Sequence, residues 1–480
     1  MINRSDWPAA LIILMYLVVG AFYAAYTPTW QVPDEPAHYN YIRSFATGEG
    51  FPVMEAGDYD QAYLSRLTSE QFPESLPVTP LEYEDHQPPL YYLLATPIFL
   101  LSGGAVGALR LFSLLLGAGV IGMTMALVRE VFPKRLGLAW LAGGLVAFLP
   151  QHVAMMAAVN NDALTELLLV SWLLLALRYL RGAVSPVLLG VVLGLMFLTK
   201  TTGYGVALLA LVAVALRWRR GGFSWKWALN QTASILGPAL LLGCLWWGRN
   251  LSVYGWPDFV GLLRHNEVVV GQPRTTEFLA RQGIWTFFTE ALRTTFRSFW
   301  GQFGWMGVVL DSRIYLGVGL FSALVAWGAL WQLAEGVRNG VDPRFRDALI
   351  LLGTSLLITV GLYLVYNLTF VQHQGRYLFT ALPALALAGA LGLNRLAEKR
   401  LAVVTASLLL VLLIGIGLVG LLLGDVPYAT LILIGVAAAG VLAAGLVPAR
   451  YVPLLGGAVL MGLVALDFLC LFGFIVPLLG

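Results

Sequence analysis

Long apolar runs dominate this sequence. Thirteen of them are long enough, or nearly so, to cross a bilayer as a helix of about 20 residues. They lie near residues 8–27, 107–128, 136–150, 161–180, 184–199, 203–217, 231–249, 312–334, 347–369, 376–394, 401–423, 427–446 and 452–474. Because 59% of the residues are hydrophobic and only 11% are charged, an ordinary soluble domain is excluded. The pattern predicts an all-α polytopic membrane protein with about 13 transmembrane helices.

A fourteenth apolar stretch, residues 88–101, is shorter and contains Pro97. Cytoplasmic loops carry an excess of Lys and Arg, and this rule decides whether the stretch crosses. If it does not cross, every basic loop cluster lies on the side of Arg4, namely the clusters at 129–135, 178–181, 217–226, 338–346, 395–400 and 450. We therefore interpret it as a juxtamembrane or re-entrant helix and place the N-terminus in the cytoplasm. No small-residue cleavage site follows the first run, which favours a retained signal anchor.

Two long segments then lie outside the cytoplasm, at about residues 28–106 and 250–311. In the second, residues 284–300 carry apolar side chains at helical spacing. Such a helix lies in the membrane interface or packs on the protein, and the sequence leaves both open. The spans of residues 397–480 carry almost no polar side chains. We expect them to be structural, and we expect the catalytic membrane domain to be residues 1–396.

Polar outliers gather on the extracytoplasmic side in this topology. All five histidines lie there, and so do the short polar clusters that interrupt apolar sequence. Because charged groups at a membrane are costly and usually functional, these clusters supply the candidate binding residues. The candidates are His38, Glu84, Asp85, His86, Asn161, Asp162, Lys200, Arg249, Tyr254, His373, Arg376 and Tyr377.

The densest cluster follows the first span, where Asp34, Glu35 and His38 lie among prolines. A solvated helix cap is the structural alternative for its two acids. Capping is equally an alternative for the acids at 84–85 and the polar residues at 160–162, and Lys200 could simply extend toward the interface. Arg376 at a helix start opposes the helix dipole, so an anionic partner is the better explanation there.

These motifs resemble the GT-C superfamily of membrane glycosyltransferases, which includes protein O-mannosyltransferases, oligosaccharyltransferases and the aminoarabinose transferases of lipid A. The resemblance rests on the carboxylate pair after the first span, a long first outer loop ending in HQPPLYY, and about thirteen helices. The ordered motifs PDEPAHY, NNDAL, RNLSVYGWP, FWGQFGWM and QGRYL are similar to a bacterial family of predicted GT-C proteins of unassigned function. The likeness covers residues 7–396.

The resemblance implies a polyprenyl-phosphate-linked sugar donor and an acceptor hydroxyl on a glycan, lipid or protein. It also implies inversion at the anomeric carbon and a site on the outer face of a bacterial plasma membrane. An acidic residue of the first outer loop is the usual base or acceptor-positioning group in that superfamily. By position this residue is Asp34, with Glu35 as the alternative. Membrane lipids are expected partners.

Transfer from a lipid phosphate also needs cations to offset the charge on the leaving group. Lys200, Arg249 and Arg376 are the candidates, and arginine suits bidentate phosphate binding. With these cations no cofactor is required, although the carboxylates and histidines are also suitable ligand types for Mg²⁺ or Mn²⁺.

Three other functions stay open from the sequence: a surface-polysaccharide ligase or polymerase with a diphosphate-linked donor, a lipid or sugar transporter, and a sugar-binding scaffold without turnover. Charges at the outer ends of spans, without a detectable internal repeat, favour an enzyme over a transporter. The net charge of +3 gives no reason to expect nucleic-acid binding. Cys244 and Cys470 lie in apolar runs, which predicts neither a disulfide nor a thiolate metal site.

Overall fold

The computed structural model describes residues 6–480, which are almost entirely helical; Arg4, used in the topology prediction, lies outside them. The helices are α1 (Trp7–Tyr26), α2 (Glu35–Thr47), α3 (Gln61–Ser69), α4 (Leu90–Ser102), α5 (Val106–Val131), α6 (Leu136–Ala147), α7 (Pro150–Met156), α8 (Asp162–Tyr179), α9 (Pro186–Phe197), α10 (Val206–Gly221), α11 (Trp225–Tyr254), α12 (Leu262–Val268), α13 (Thr275–Trp300), α14 (Ser312–Asn339), α15 (Pro343–Thr369), α16 (Leu382–Leu396), α17 (Lys399–Leu423), α18 (Tyr428–Leu446), α19 (Val452–Cys470) and α20 (Val476–Leu479).

Short elements join some of these helices. Three 3₁₀ segments cover Thr201–Gly205, Gly375–Ala381 and Ala449–Tyr451, and a π-helical turn covers Leu471–Ile475. The strands β1 (Gln302–Phe303) and β2 (Val308–Val309) form a small antiparallel hairpin.

All thirteen predicted spans coincide with helices, so the prediction of an all-α polytopic membrane protein is confirmed. Within residues 6–480, ten helical segments are long and apolar enough to cross a membrane, or eleven if α6 and α7, which are bent by 69°, form one broken span. The other two predicted spans are α8, which carries three charged residues, and the 12-residue α9. The count of thirteen stays a prediction. The stretch predicted as juxtamembrane forms the short helix α4.

The spans pack closely where glycine replaces a side chain. A Cβ atom at Gly190 of α9 would lie 2.2 Å from the carbonyl oxygen of Ile235 in α11. Any larger residue would therefore separate these two helices. Small residues at contacts are typical of membrane bundles, because close backbone approach supplies van der Waals packing that lipid cannot.

The helices after residue 397 divide into two groups. α17 and α18 pack on each other and touch α14 through a small cluster that includes Leu409 and Ile434. The last helices return to the main core, where Leu471 and Ile475 are buried. The Tyr23 hydroxyl of α1 donates to the backbone carbonyl of Asp467 at 2.9 Å. The proposed domain boundary at 397 stays a prediction, with α19 packed on the first span.

The second outer segment contains α12, α13 and the hairpin, and α13 is kinked at Gly283. Beyond the kink, large apolar side chains face away from the protein: Trp285 is 81% exposed and Leu292 is 75% exposed, and Ile284 and Phe288 are also exposed. Of the two interpretations that the sequence left open, these exposures favour a helix lying in the membrane interface.

Candidate active site

The start of α2 separates two neighbouring carboxylates. Asp34 adopts a left-handed backbone conformation with φ of 68°, and Pro36 lies in the first helical turn. Left-handed φ is uncommon for residues other than glycine, although Asp tolerates it better than most, and such strain often marks a functional site. Here it directs the side chains of Asp34 and Glu35 toward different partners.

Glu35 is held in a buried ion pair with Arg110 of α5. Arg110 Nε donates to one carboxylate oxygen at 2.8 Å and Nη2 to the other at 2.6 Å. The same guanidinium donates to the backbone carbonyls of Ala24, Thr27 and Pro28. The carboxylate also accepts the backbone N–H groups of Trp30 and Val159. These contacts indicate a structural role for Glu35, which joins the ends of α1, α2 and α5.

Asp34 pairs instead with Arg376, which lies 342 positions later in the chain. Arg376 Nη2 donates to one Asp34 oxygen at 2.5 Å, and the Tyr83 hydroxyl donates to the other at 2.9 Å. Burial on its own would raise the pKa of Asp34, but the charge of Arg376, with help from His38 and both hydrogen bonds, leaves this pKa below its usual value. Asp34 is therefore ionised at neutral pH.

The segment that carries Arg376 reaches Asp34 because Gly375 precedes it. A Cβ atom at Gly375 would lie 2.2 Å from the backbone nitrogen of Phe299 in α13. The Gly375 N–H donates to the Ser298 hydroxyl at 2.7 Å. Arg376 also lies over the ring of Tyr377, at 5.3 Å from its centre. A 3₁₀ segment packed directly on α13 thus presents the guanidinium to the first outer loop.

Lys200 supplies a second cation from the break between α9 and the next 3₁₀ segment. Its Nζ donates to Asp162 at the start of α8, at 2.6 Å. Asn161 is the N-cap residue of α8 but makes no side-chain capping bond, and the Asn160 side chain accepts the N–H of Asp162 at 2.9 Å. Asn161 lies beside this pair, with its amide donating to the Thr199 carbonyl at 3.3 Å.

His38 lies between the two ion pairs. Its Nδ1 is 2.9 Å from the Tyr92 hydroxyl of α4. Burial lowers the pKa of His38 to about 3, even though Asp34 opposes this shift. The imidazole is therefore neutral at physiological pH and serves as a hydrogen-bonding group.

Glu84 belongs to the same group of charged side chains as Asp34, Asp162, Lys200 and Arg376, which is called the central cluster below. Its side chain makes no hydrogen bond within the described part of the chain, in contrast to Asp34 and Asp162. Burial and the charge of Asp34 raise the pKa of Glu84 to about 8, against the opposing charges of Lys200 and Arg376. The cluster therefore contains a carboxyl group that is mostly protonated at neutral pH.

The remaining candidates of the first outer loop lie behind this cluster. The ring of His86 packs on that of His265, with 4.5 Å between centres, and its Nδ1 is 3.2 Å from the Tyr83 carbonyl. Burial lowers the pKa of His86, and the neighbouring His265 lowers it further. Asp85 is buried, and its burial raises the pKa of this carboxyl group well above the usual value. Asp85 and His86 are therefore packed inside the protein beside the central cluster.

Arg249 and Tyr254 contact the outer loop rather than the central cluster. Arg249 donates to the Pro52 carbonyl, and to the Tyr254 hydroxyl at 3.3 Å. The same hydroxyl accepts the N–H of Met54 at 3.1 Å. The structure therefore does not bring Arg249 next to Asp34, and its observed contacts attach residues 51–54 to the end of α11.

His373 lies on the other side of Arg376, next to α13. Its ring packs edge-on against Phe287 with 4.8 Å between centres. Burial lowers the pKa of His373, so its imidazole is neutral at pH 7. His373 also lines a cavity between α13 and the loop of residues 371–374.

Sequence reasoning missed several residues that shape the site, above all Arg110, Tyr83, Tyr92 and Gln374. Arg110 had a usable signal, because it is an arginine at the outer end of a predicted span and such residues are rarely unpaired. Tyr92 and Gln374 stand in the motifs HQPPLYY and QGRYL, which indicate the family resemblance but no individual role, and Tyr83 carries no comparable signal in a chain rich in aromatic residues. Within residues 6–480, no group of three or more His, Cys, Asp or Glu side chains is arranged to hold a metal ion.

Comparison with known proteins shows a family match for part of the chain and a similar fold for nearly all of it. Residues 86–247 match the family described as dolichyl-phosphate-mannose-protein mannosyltransferase. The fold is similar to that of ArnT from Cupriavidus metallidurans bound to undecaprenyl phosphate, with a TM-score of 0.54, 18% identity, and coverage of 98% of this chain and 77% of ArnT. The apo form of the same protein gives a TM-score of 0.52 at 17% identity, with the same coverage.

An oligosaccharyltransferase from Archaeoglobus fulgidus gives a TM-score of 0.44 at 16% identity, and covers 91% of this chain and 55% of that one. No curated protein sequence matches this chain significantly. The family model matches residues 86–247 only, whereas the similarity to ArnT extends over nearly the whole chain; the chain therefore has an ArnT-like fold that contains a segment similar to a mannosyltransferase family.

Proposed function

We propose that this chain transfers a sugar from a polyprenyl-phosphate-linked donor to an acceptor hydroxyl on the extracytoplasmic face of a bacterial plasma membrane, with inversion at the anomeric carbon. The cluster of Asp34, Lys200 and Arg376 carries the proposal. Three segments distant in sequence bring a carboxylate and two cations into one partly enclosed site, where the charges of both Lys200 and Arg376 act on the carboxyl groups of Asp162 and Glu84. Transfer of a sugar from a phosphate to a hydroxyl needs both kinds of group.

Lys200 and Arg376 form the phosphate-binding half of the proposed site. Each is paired with a carboxylate, Lys200 with Asp162 and Arg376 with Asp34. A donor phosphate competes with these carboxylates for the cations, so donor binding weakens the Asp34–Arg376 pair and frees a carboxylate oxygen. The undecaprenyl phosphate bound to ArnT and the dolichyl phosphate mannose of the family description support a lipid phosphate as part of the donor.

The proposed reaction is a single displacement. The acceptor oxygen attacks the anomeric carbon while its proton passes to Asp34. The bond between that carbon and the phosphate oxygen breaks, and its electron pair leaves with the phosphate, where Lys200 and Arg376 stabilise the growing charge. Attack from the face opposite the leaving group inverts the anomeric configuration.

Asp34 is preferred to Glu35 as the proton acceptor because Glu35 is fully occupied by Arg110 and two backbone N–H groups. Glu84 is the second candidate for this role. It carries no competing hydrogen bond, and its pKa of about 8 lies close to the value at which a general base is most effective. At neutral pH, however, Glu84 is mostly protonated, whereas Asp34 is ionised.

The test is transfer by the purified chain in proteoliposomes. Radiolabelled undecaprenyl-phosphate-linked hexoses are offered as donors, and envelope fractions from a deletion strain supply glycan, lipid and protein acceptors. We expect label transfer by the wild type, loss of about 10²–10⁴-fold in Asp34→Asn, and a smaller loss in Glu84→Gln. Transfer only from diphosphate-linked oligosaccharides would identify a ligase and refute the donor assignment. Unchanged transfer in Asp34→Asn would refute the site.

The orientation of the site needs its own experiment. We propose that the cluster faces away from the cytoplasm, on the side opposite the basic loops. A reporter fused after Lys134 is expected to behave as cytoplasmic, and a cysteine at the exposed position Glu70 should react with an impermeant maleimide added to intact cells. The reverse labelling pattern would contradict the orientation.

A further inference from the structure

A cavity of about 420 Å³ lies beside the central cluster, between α13, the β1–β2 hairpin and the loop of residues 371–374. This volume falls within the range of pockets that hold small molecules. Its polar lining consists mainly of carboxamides. The polar side chains that line it belong to Gln282, Glu290, Thr294, Gln302, Gln372, His373 and Gln374.

The lining carries almost no uncompensated charge. Its one acid, Glu290, receives two hydrogen bonds of 2.6 Å from Arg293 Nη2, one to each oxygen. Its one imidazole, His373, is neutral at pH 7. A charged ligand group would therefore lose its hydration without finding an opposite charge in the lining, which is costly. The cavity suits an uncharged ligand.

Carboxamides match hydroxyl groups because each offers both N–H donors and a carbonyl acceptor. Two polar groups at the cavity wall also have bonding capacity to spare. Gln302 Oε1 and both ring nitrogens of His373 are enclosed and have no partner within residues 6–480. Buried polar atoms without partners are uncommon in proteins, and a polyhydroxylated ligand would satisfy these with small side-chain rotations.

The cavity connects to the proposed phosphate site through hydrogen bonds. The side-chain oxygen Oε1 of Gln374 accepts a hydrogen bond from Arg376 Nε at 2.7 Å. The side-chain nitrogen Nε2 of Gln374 donates to Gln372 Oε1 at 2.5 Å. Only one side chain therefore separates the cavity from the guanidinium that pairs with Asp34. A sugar ring bonded to a phosphate at Arg376 would therefore lie next to Gln374, which lines the cavity.

From this placement we infer that the cavity is a sugar-binding subsite that takes an uncharged, hydroxyl-rich hexose ring and discriminates against amino sugars and uronic acids. The inference rests on the proposed function and names its substrate class. The ring belongs to the donor or to a glycan acceptor, and the experiment below distinguishes these sources.

Binding is measured by saturation-transfer NMR on the purified full-length chain in detergent, which requires no turnover. The probes are methyl glycosides of mannose, glucose and galactose, compared with those of glucosamine and glucuronic acid. We expect at least one neutral glycoside to bind about tenfold more tightly than either charged one. Gln282→Leu should weaken it about fivefold, the effect of one lost hydrogen bond. Gln282 is exposed, so this variant folds normally.

Three further variants complete the design. Gln302→Leu should weaken binding by a similar factor. Gln71→Leu removes a glutamine that lies outside the cavity and bonds only the Leu478 carbonyl, and it should leave binding unchanged. Asp34→Asn should retain glycoside binding although the proposed function predicts loss of transfer. If Asp34→Asn keeps full transfer, the assignment of Asp34 as the base fails while the binding result stands by itself; if the wild type transfers no sugar from any monophosphate-linked donor, the proposed function fails and the binding result again stands by itself.

The source of the ring follows from competition. Displacement of the bound glycoside by the undecaprenyl-phosphate-linked form of the same sugar, but not by undecaprenyl phosphate alone, supports the subsite and assigns it to the donor. Displacement by neither supports the subsite and assigns it to the acceptor. Equal or tighter binding of charged glycosides, or binding that neither Gln282→Leu nor Gln302→Leu weakens, overturns the inference.

Discussion

Variants of the Glu35–Arg110 pair test whether Glu35, unlike its neighbour Asp34, has a structural role only. Arg110→Met removes all five hydrogen bonds that the guanidinium donates. Glu35 then retains only the backbone N–H groups of Trp30 and Val159, at 3.1 and 3.2 Å. Three carbonyls at the end of α1 also lose their donor.

The expected cost follows from the burial of both partners, whose side chains are 3% and 0% exposed. Removing one member of a buried pair leaves an uncompensated charge and typically costs about 3–5 kcal/mol. Glu35→Gln leaves the arginine unpaired and should cost a similar amount. The double variant Glu35→Gln, Arg110→Met leaves neither charge, so it should recover the part of the cost that comes from the unpaired charge, although the three carbonyls still lack their donor.

Thermal unfolding in detergent measures all three variants, and transfer is assayed in parallel below the unfolding temperature. If Glu35 acts only through structure, the double variant is more stable than the single variant Arg110→Met and regains transfer. A double variant that is more stable than Arg110→Met but still inactive would refute this reasoning and indicate a catalytic role for Glu35. Arg43→Met, which removes a partly exposed pair with Glu82, is the matched control and should cost at most about 1 kcal/mol.

Three other predictions concern the donor, the pH response and the membrane. Arg376→Lys should raise the donor KM about tenfold, because lysine lacks the bidentate fork; steady-state kinetics in proteoliposomes test this, and an unchanged KM would contradict phosphate binding. The raised pKa of Glu84, about 8, means that the folded chain holds its proton longer than the unfolded chain, so stability should fall as pH rises from about 4.5 to 8. Glu84→Gln should reduce this fall in pH-resolved unfolding curves, whereas identical curves would show a normal pKa. Trp285 should be quenched by brominated lipids, and a Trp285→Phe variant should lose that quenching; equal quenching in both would place α13 away from the interface.

The sequence was sufficient to predict the class of fold, because apolar runs and loop charges are local signals. It also predicted that Asp34, Lys200 and Arg376 belong to one site. The predicted topology puts all three on one side of the membrane, and each is a charged residue next to apolar sequence. Their actual pairing depends on contacts across hundreds of residues. Only the structure showed that Asp34 meets Arg376 while Lys200 meets Asp162.

Other parts of the site were beyond sequence reasoning for physical reasons. Asp34 and Glu35 look equivalent in sequence, and a single backbone rotation at Asp34 separates their environments. Arg249 is a residue type that often binds phosphate, but its guanidinium donates to the Pro52 carbonyl instead. The carboxamide-lined cavity combines side chains from a helix, a hairpin and a loop, none of which is distinctive alone.

The direction of the Glu35–Arg110 pair has a consequence for the electrostatics of the helices it joins. Arg110 binds carbonyls at the C-terminal, negative end of α1, while Glu35 occupies the first turn, the positive end, of α2. Each charge therefore complements the macrodipole of the helix it touches. Exchanging the two residues would preserve the ion pair and yet oppose both dipoles. The fold thus fixes which residue of the pair is the cation and which is the anion, and the pair holds the end of the first span and the start of α2 in one relative orientation.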